Sequence, residues 1–153
     1  MTVLTDNQII ETKVAPQRIK LKVVDGVITI YKGALLAYEG GNIGYVQLAA
    51  DELNSEFAGI AMENKTLTAA LNASDGDYDV EVIPRGSGEY VKLPVSSTIT
   101  IANEGDPVYM DDDGAVDIAS GIVSSVTGGL VGIIRQFVSA NVAWIQLTQH
   151  PIL

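Results

Sequence analysis

The sequence of 153 residues contains no cysteine, one histidine and few aromatic residues, which make up 6% of the chain. Without cysteine it cannot form disulfides, bind metal through thiolates or use a thiol nucleophile. The one histidine, His150, directly precedes Pro151, so a catalytic triad or a histidine metal site would depend on a single side chain near the end of the sequence. We therefore expect a protein that is not an enzyme, with no catalytic residues, no cofactor and no metal site.

Positive charge is also scarce. The chain has 9 lysine and arginine residues against 19 aspartate and glutamate residues, a formal net charge of −10. Proteins that bind nucleic acids need a positive surface that displaces counterions from the phosphates, so we expect no nucleic-acid partner. The charge is uneven, because residues 1–35 carry five basic and three acidic side chains and the rest is strongly acidic. This asymmetry suggests that the N-terminal segment contacts an acidic partner.

Long apolar runs are missing as well. The longest weakly polar stretch, residues 115–134, is interrupted by Asp117, several serines and four glycines, which do not suit a bilayer helix. The first residues lack a basic segment followed by an apolar run, so they do not predict a secretory signal. We expect no membrane partner.

Glycine and β-branched residues, by contrast, are abundant. The chain has 15 glycines, and segments rich in valine, isoleucine and threonine alternate between polar and apolar residues. This pattern predicts an all-β fold, a compact β-barrel or β-sandwich of short antiparallel strands. We expect a single β-rich domain over residues 19–153 and an extended N-terminal arm over residues 1–18, whose apolar side chains need a surface to pack against.

Two parts of the sequence share the same order of turns and strands. They begin at Lys32–Gly33 and at Glu104–Gly105, 72 positions apart, and their later glycines, Gly59 and Gly132, are 73 positions apart. The spacing predicts either a duplicated β-unit or two similar halves of one barrel. We expect Gly59 and Gly132 to mark bulges or close strand contacts. The strands predicted here are residues 34–38 and 45–48 in the first part, and 107–110 and 115–118 in the second.

Two further predictions concern local structure. The alternating segments at 78–83 and 90–93 flank the glycine-containing turn at 85–88, which predicts a β-hairpin. Trp144 is expected to be buried, since its large ring gains most from packing in a core.

Two acidic clusters, Asp111–Asp113 and Asp75–Asp79, could in principle bind a cation. Neither has the residue spacing of a calcium-binding loop, and turn chemistry explains both. We interpret Asp113–Gly114 as a hairpin turn that the acidic run keeps solvated. Glu52 and Glu56 would share one face of a helical turn, but no neighbouring residue supports a site there.

The segments that define the two units also carry a resemblance. The runs IYKGAL at 30–35, EGDPVY at 104–109 with Asp113–Gly114, VGII at 131–134 and VAWIQL at 142–147 resemble, in order and spacing, the capsid decoration proteins of tailed bacteriophages, also called head cement proteins. The resemblance covers roughly residues 18–148. It implies a homotrimer on the outer surface of the mature capsid that bridges major capsid protein subunits, and hence localisation in the virion and in the host cytoplasm during assembly.

Given this resemblance, the N-terminal arm, whose charge differs from that of the acidic body, is our candidate for contact with the capsid. The residues proposed for that contact are Val3, Leu4, Ile9, Ile10, Lys13 and Arg18. Two other functions stay open at this point: a metal-dependent carbohydrate-binding β-module that uses the acidic clusters, and a tail or baseplate subunit of a phage.

Overall fold

The computed structural model describes residues 3–12, 17–39, 42–51, 55–119 and 129–149. These residues form short β-strands and one turn of 3-10 helix, which confirms the predicted all-β fold. No helix in the described part of the chain has the length and apolar character needed to cross a bilayer. The strands are β1 (Glu11–Thr12), β2 (Ile19–Val23), β3 (Ile28–Ile30), β4 (Leu35–Glu39), β5 (Asn42–Leu48), β6 (Glu56–Ala61), β7 (Lys65–Leu67), β8 (Asp79–Pro84), β9 (Tyr90–Pro94), β10 (Pro107–Met110), β11 (Val116–Ile118), β12 (Leu130–Ser139) and β13 (Val142–Leu147), and the 3-10 helix is Ile101–Asn103.

The first unit is a small closed barrel. Its strands follow the order β2–β8–β6–β4–β5, and all of these neighbours are antiparallel. The barrel closes through a parallel pair, β2 with β5, in which Val23 is opposite Val46. Strands β3 and β7 form a separate two-stranded sheet inserted into this unit.

The second unit repeats this arrangement. Its strands follow the order β9–β13–β12–β10–β11, and β9 takes the place of β2. Just past β9, Val95 makes a parallel bridge to Val116 of β11, which corresponds to the closure of the first unit by Val23 and Val46. The structure therefore confirms two similar β-units, and it shows that they are a duplication rather than two halves of one barrel.

Gly59 and Gly132 hold equivalent places in the two units. Gly59 is paired with Leu36 of β4, and Gly132 is paired with Val108 of β10. A methyl group at Gly59 would lie 2.5 Å from the carbonyl oxygen of Ile83, and one at Gly132 would overlap the backbone of β13. Close strand contact, as predicted, explains why glycine occupies both positions.

The core lies within and between the units. One buried cluster combines side chains of the first unit, such as Phe57 and Ile60, with side chains of the second, such as Val108 and Ile134. A second cluster around Val23, Ile30 and the interior of the first barrel fills that unit. The two units thus share apolar packing.

Two local predictions are wrong. Strand β8 pairs with β2 and β6, whereas β9 pairs with β1 and β13, so 78–83 and 90–93 do not form a hairpin. Residues 85–89 instead connect the two units. Trp144 is only half-buried, because Ala143, Ile145 and Leu147 are the residues of β13 that face the core.

Candidate partner-binding surface

The N-terminal arm lies along the protein's own body. The backbone N–H of Gln8 donates to the carbonyl oxygen of Lys32 (3.0 Å), and the side-chain amide of Gln8 donates to the carbonyl oxygen of Gly33 (2.7 Å). In return, the N–H of Lys32 donates to the side-chain oxygen of Asn7 (3.1 Å). These reciprocal bonds hold the middle of the arm against the turn that precedes β4.

Both ends of the described arm contact the second unit. The N–H of Leu4 donates to a carboxylate oxygen of Asp113 (3.2 Å). At the other end, Glu11 and Thr12 form β1, which pairs with β9, and Glu11 also forms an ion pair with Lys92 (3.0 Å). The arm therefore connects the two units.

The residues proposed for capsid contact fall into three groups. Val3 and Ile9 are 63% and 88% exposed. Leu4 and Ile10 are half-buried and pack against the two core clusters, so they serve the protein's own fold. Arg18 forms an ion pair with Glu81 at 2.9 Å, and Lys13 lies outside the described residues. Of the described candidates, Val3 and Ile9 are the apolar side chains that a partner could bury.

Positive charge near the arm is partly matched by the protein's own acids. Besides the Arg18–Glu81 ion pair, Lys20 and Lys22 of β2 lie opposite Glu81 and Asp79 of β8. Such exposed pairs contribute little to stability but lower the local positive potential. An interaction of the arm with an acidic partner thus stays a prediction, and apolar contact is the better-supported part of it.

Shallow grooves border Ile9. One, with a volume of about 130 Å³, is lined by Ile9, Leu93, Pro94 and Val142 together with polar residues of the arm and β9. The other, of about 310 Å³, is lined by Ile9, Ile10, Met62 and polar residues of the arm and of the turn at Lys32. We refer to Ile9 with these two grooves as the Ile9 surface.

The acidic loop at 111–113 is buried rather than solvated, which corrects the prediction for it. The carboxylate of Asp112 accepts hydrogen bonds from the N–H groups of Gly114 (2.7 Å) and Ala115 (2.9 Å), so it caps the turn between β10 and β11. Asp111 accepts from the hydroxyl of Ser96 at 2.6 Å. The predicted turn is present, and β10 and β11 pair around it.

Burial of this loop affects its protonation. The carboxylate of Asp113 accepts a hydrogen bond from the N–H of Leu4. Its backbone carbonyl oxygen accepts one from the N–H of Leu35 in the first unit (2.9 Å). Desolvation raises the pKa of both Asp112 and Asp113 above the ordinary value of 3.8, although the backbone donors oppose that shift. The loop joins the arm and both units, so its burial is structural.

The remaining polar candidates do not converge on a site. Asp77 accepts from the N–H of Ser74 within its own turn, and Asp75 accepts from the N–H of Asp25 in another turn of the first unit. Glu56 lies in β6 and forms an ion pair with Arg85, whereas Glu52 and His150 fall outside the described residues. Within the described ranges, no group of three or more histidine, aspartate or glutamate side chains could hold a metal ion.

No family model matches this chain, and no curated protein matches its sequence. The fold and the surface define a class, an all-β protein with an internally duplicated unit and a docked arm.

Proposed function

We propose that this chain is a structural virion protein that binds the outer surface of a mature phage capsid and links neighbouring major capsid protein subunits. The sequence resemblance to head cement proteins suggests this role. The observation that carries the proposal is Ile9, which is 88% exposed on a segment fixed on both sides by hydrogen bonds and strand pairing. Ile9 also borders two grooves with apolar walls, so the side chain and the grooves together form the kind of exposed apolar surface that a partner can bury.

The fixed arm favours tight binding for a physical reason. Association costs free energy when loops and side chains must become ordered, and here residues 7–12 are already held by Lys32, Gly33 and β9. Full burial of one isoleucine side chain contributes about 1.5–3 kcal/mol. Since a tenfold change in affinity corresponds to about 1.4 kcal/mol, Ile9 supplies about 10- to 100-fold in affinity per copy.

Cementing follows from this binding by mass action. A ligand that binds the assembled lattice and not its separated subunits stabilises the lattice. Attachment through the three copies of a homotrimer would convert modest individual affinities into slow dissociation.

The test compares two exposed apolar residues. Ile9→Asp should lower co-sedimentation with expanded heads of the phage that encodes the protein by tenfold or more, whereas Val27→Asp should bind like the unmodified protein. Val27 is a matched control because it is 79% exposed and lies in a turn of the first unit, beside a groove lined by residues of that unit and by none of the arm. The unmodified protein should bind expanded heads and not procapsids. Equal binding of the two variants would contradict the role of Ile9, and no binding of the unmodified protein would contradict the function.

No contact of the described residues favours the carbohydrate-binding alternative. Asp75, Asp77, Asp111 and Asp112 each accept a hydrogen bond from the protein's own N–H or O–H groups, and within the described residues the second carboxylate oxygen of Asp112 is buried without a partner. A calcium titration addresses it directly, since a calcium-dependent module gains thermal stability when the ion is added.

A further inference from the structure

The turn that the arm covers has a counterpart in the second unit. In the first unit the N–H of Ala34 donates to Tyr31, and in the second the N–H of Asp106 donates to Asn103, both at 3.0 Å. Each turn contains a glycine with positive φ, +94° at Gly33 and +95° at Gly105. The N–H of each glycine donates to a carbonyl oxygen of the equivalent strand, that of Ala61 in β6 and that of Ile134 in β12, at 2.7 Å in both cases. The two turns are therefore the same structural element.

In the first unit the arm occupies this turn. Gln8 bonds to the carbonyl oxygens of Lys32 and Gly33, and it buries Gly33 so closely that an added methyl group would lie 2.7 Å from the Gln8 carbonyl oxygen. The turn thus accepts an extended segment through its two outward carbonyl groups.

In the second unit the same turn is uncovered by the described residues. Gly105 is exposed, nothing described lies within 4 Å of the position a methyl group would take, and the neighbouring Ile101 is 69% exposed. The chain path explains the difference. Residues 3–12 precede the first unit, whereas only residues 85–89 separate β8 from β9. Five residues are too few to form an equivalent arm.

We propose that the turn at residues 103–106 and Ile101 form a second partner-binding site, which takes an extended segment of the partner protein. This inference rests on the proposed function, under which the partner is a capsid subunit. The carbonyl group of Glu104 accepts a backbone N–H of that segment and the carbonyl group of Gly105 accepts a side-chain N–H, as Lys32 and Gly33 accept from the backbone and the side chain of Gln8. Charge adds selectivity. Glu104 stands at the position equivalent to Lys32, and Asp106 is also part of this turn. The bound segment therefore carries basic side chains.

The site gives a physical basis for bridging. A protein that links two capsid subunits needs two separate contacts, and a single copy then has one at the arm, the Ile9 surface, and one at the turn at residues 103–106. The carboxylate of Glu104 is held in place by the N–H of Phe137 (3.0 Å), so this second contact is also ordered before binding.

Photo-crosslinking tests the inference on expanded heads. A benzophenone amino acid replaces Ile101, Ile9 or Val27 in turn, and the crosslinked products are identified by mass spectrometry. We expect crosslinks to the capsid subunit from positions 101 and 9 and none from position 27. Ile101→Asp should lower binding tenfold or more, and Glu104→Lys should also weaken it, while both variants keep the thermal midpoint of the unmodified protein within a few degrees.

The outcomes separate the two proposals. If the unmodified protein does not bind heads, the proposed function and this site both fail. If it binds and position 9 crosslinks, but position 101 gives no product or only a product with a second copy of this chain, the second site alone is refuted. Ile101→Asp binding that equals that of the unmodified protein refutes it as well.

Discussion

Replacement of Gly132 by alanine should destabilise the protein strongly. The added methyl group would lie 2.8 Å from the carbonyl carbon of Gln146 and closer still to its oxygen, whereas ordinary contacts begin at 3.4 Å. The obstacle is the backbone of β13, which cannot rotate away as a side chain can. Strands β12 and β13 must therefore separate locally, in the part of the sheet where Gly132 is paired with Leu147.

The size of the effect follows from the cost of overpacking. An extra methyl group in a well-packed interior typically costs about 1–3 kcal/mol, and a backbone obstacle places Gly132→Ala at the upper end, about 3 kcal/mol. For a chain of this size, that corresponds to a drop in the thermal midpoint of about 6–12 °C. Urea unfolding followed by circular dichroism measures the free energy of unfolding directly.

Gly44→Ala is the matched control. Gly44 also lies in a strand, β5, but it is exposed, its φ is not positive, and an added methyl group meets nothing described within 4 Å. That variant should unfold within about 0.5 kcal/mol of the unmodified protein, since it removes only backbone freedom of the unfolded chain. Equal urea midpoints for the two variants would show that β12 and β13 do not approach each other as described.

Two further predictions concern the arm and the acidic loop. Gly33→Ala should release the arm and increase hydrogen exchange at the N–H of Gln8. Gly105→Ala should lower stability without affecting the arm, because Gly105 has the same positive φ but free space around it. Equal hydrogen exchange at Gln8 in the two variants would refute the contact between Gln8 and Gly33. Asp112 and Asp113 have a raised pKa, so each binds its proton more tightly in the folded state than in the unfolded state. The stability that this proton binding contributes is fully present below the unfolded pKa near 3.8, and it is lost as the pH rises through the higher folded pKa. The urea midpoint should therefore gain a contribution as the pH falls from neutral toward 3.8, and Asp113→Asn should reduce this contribution. An unchanged pH profile in that variant would contradict burial of the charge.

The duplicated fold could be predicted because a glycine marks a constrained backbone position in the sequence, whichever strands pair there. Gly33 and Gly105 require positive φ, and Gly59 and Gly132 have no room for a methyl group, so their spacing reveals the repeat without any knowledge of strand partners. The false hairpin at 78–93 shows the limit of such patterns. Alternation identifies a strand, but its partner depends on residues distant in sequence, here β2 and β6 for β8.

The candidate surface could be predicted only in part for the same reason. Composition distinguishes the arm from the body, but Leu4 and Ile10 are as apolar as Val3 and Ile9, and only the path of the arm decides which pair is buried. Burial of the acidic loop has no local sequence signal, because it depends on Ser96, Leu35 and Leu4, which approach the loop from other parts of the fold. The uncovered turn at 103–106 has no sequence signal beyond its similarity to residues 31–34.

The parallel closures, Val23 with Val46 and Val95 with Val116, also determine how this protein can meet other chains. A free strand edge has unpaired N–H and C=O groups, and any extended chain can pair with them, which promotes aggregation. Closure removes such edges from the first barrel and shortens them in the second unit, where the sheet ends at the two-residue β1. In the described residues, the first barrel therefore offers no strand edge to a neighbouring copy, and the second sheet offers only the short strands β1 and β11 at its ends.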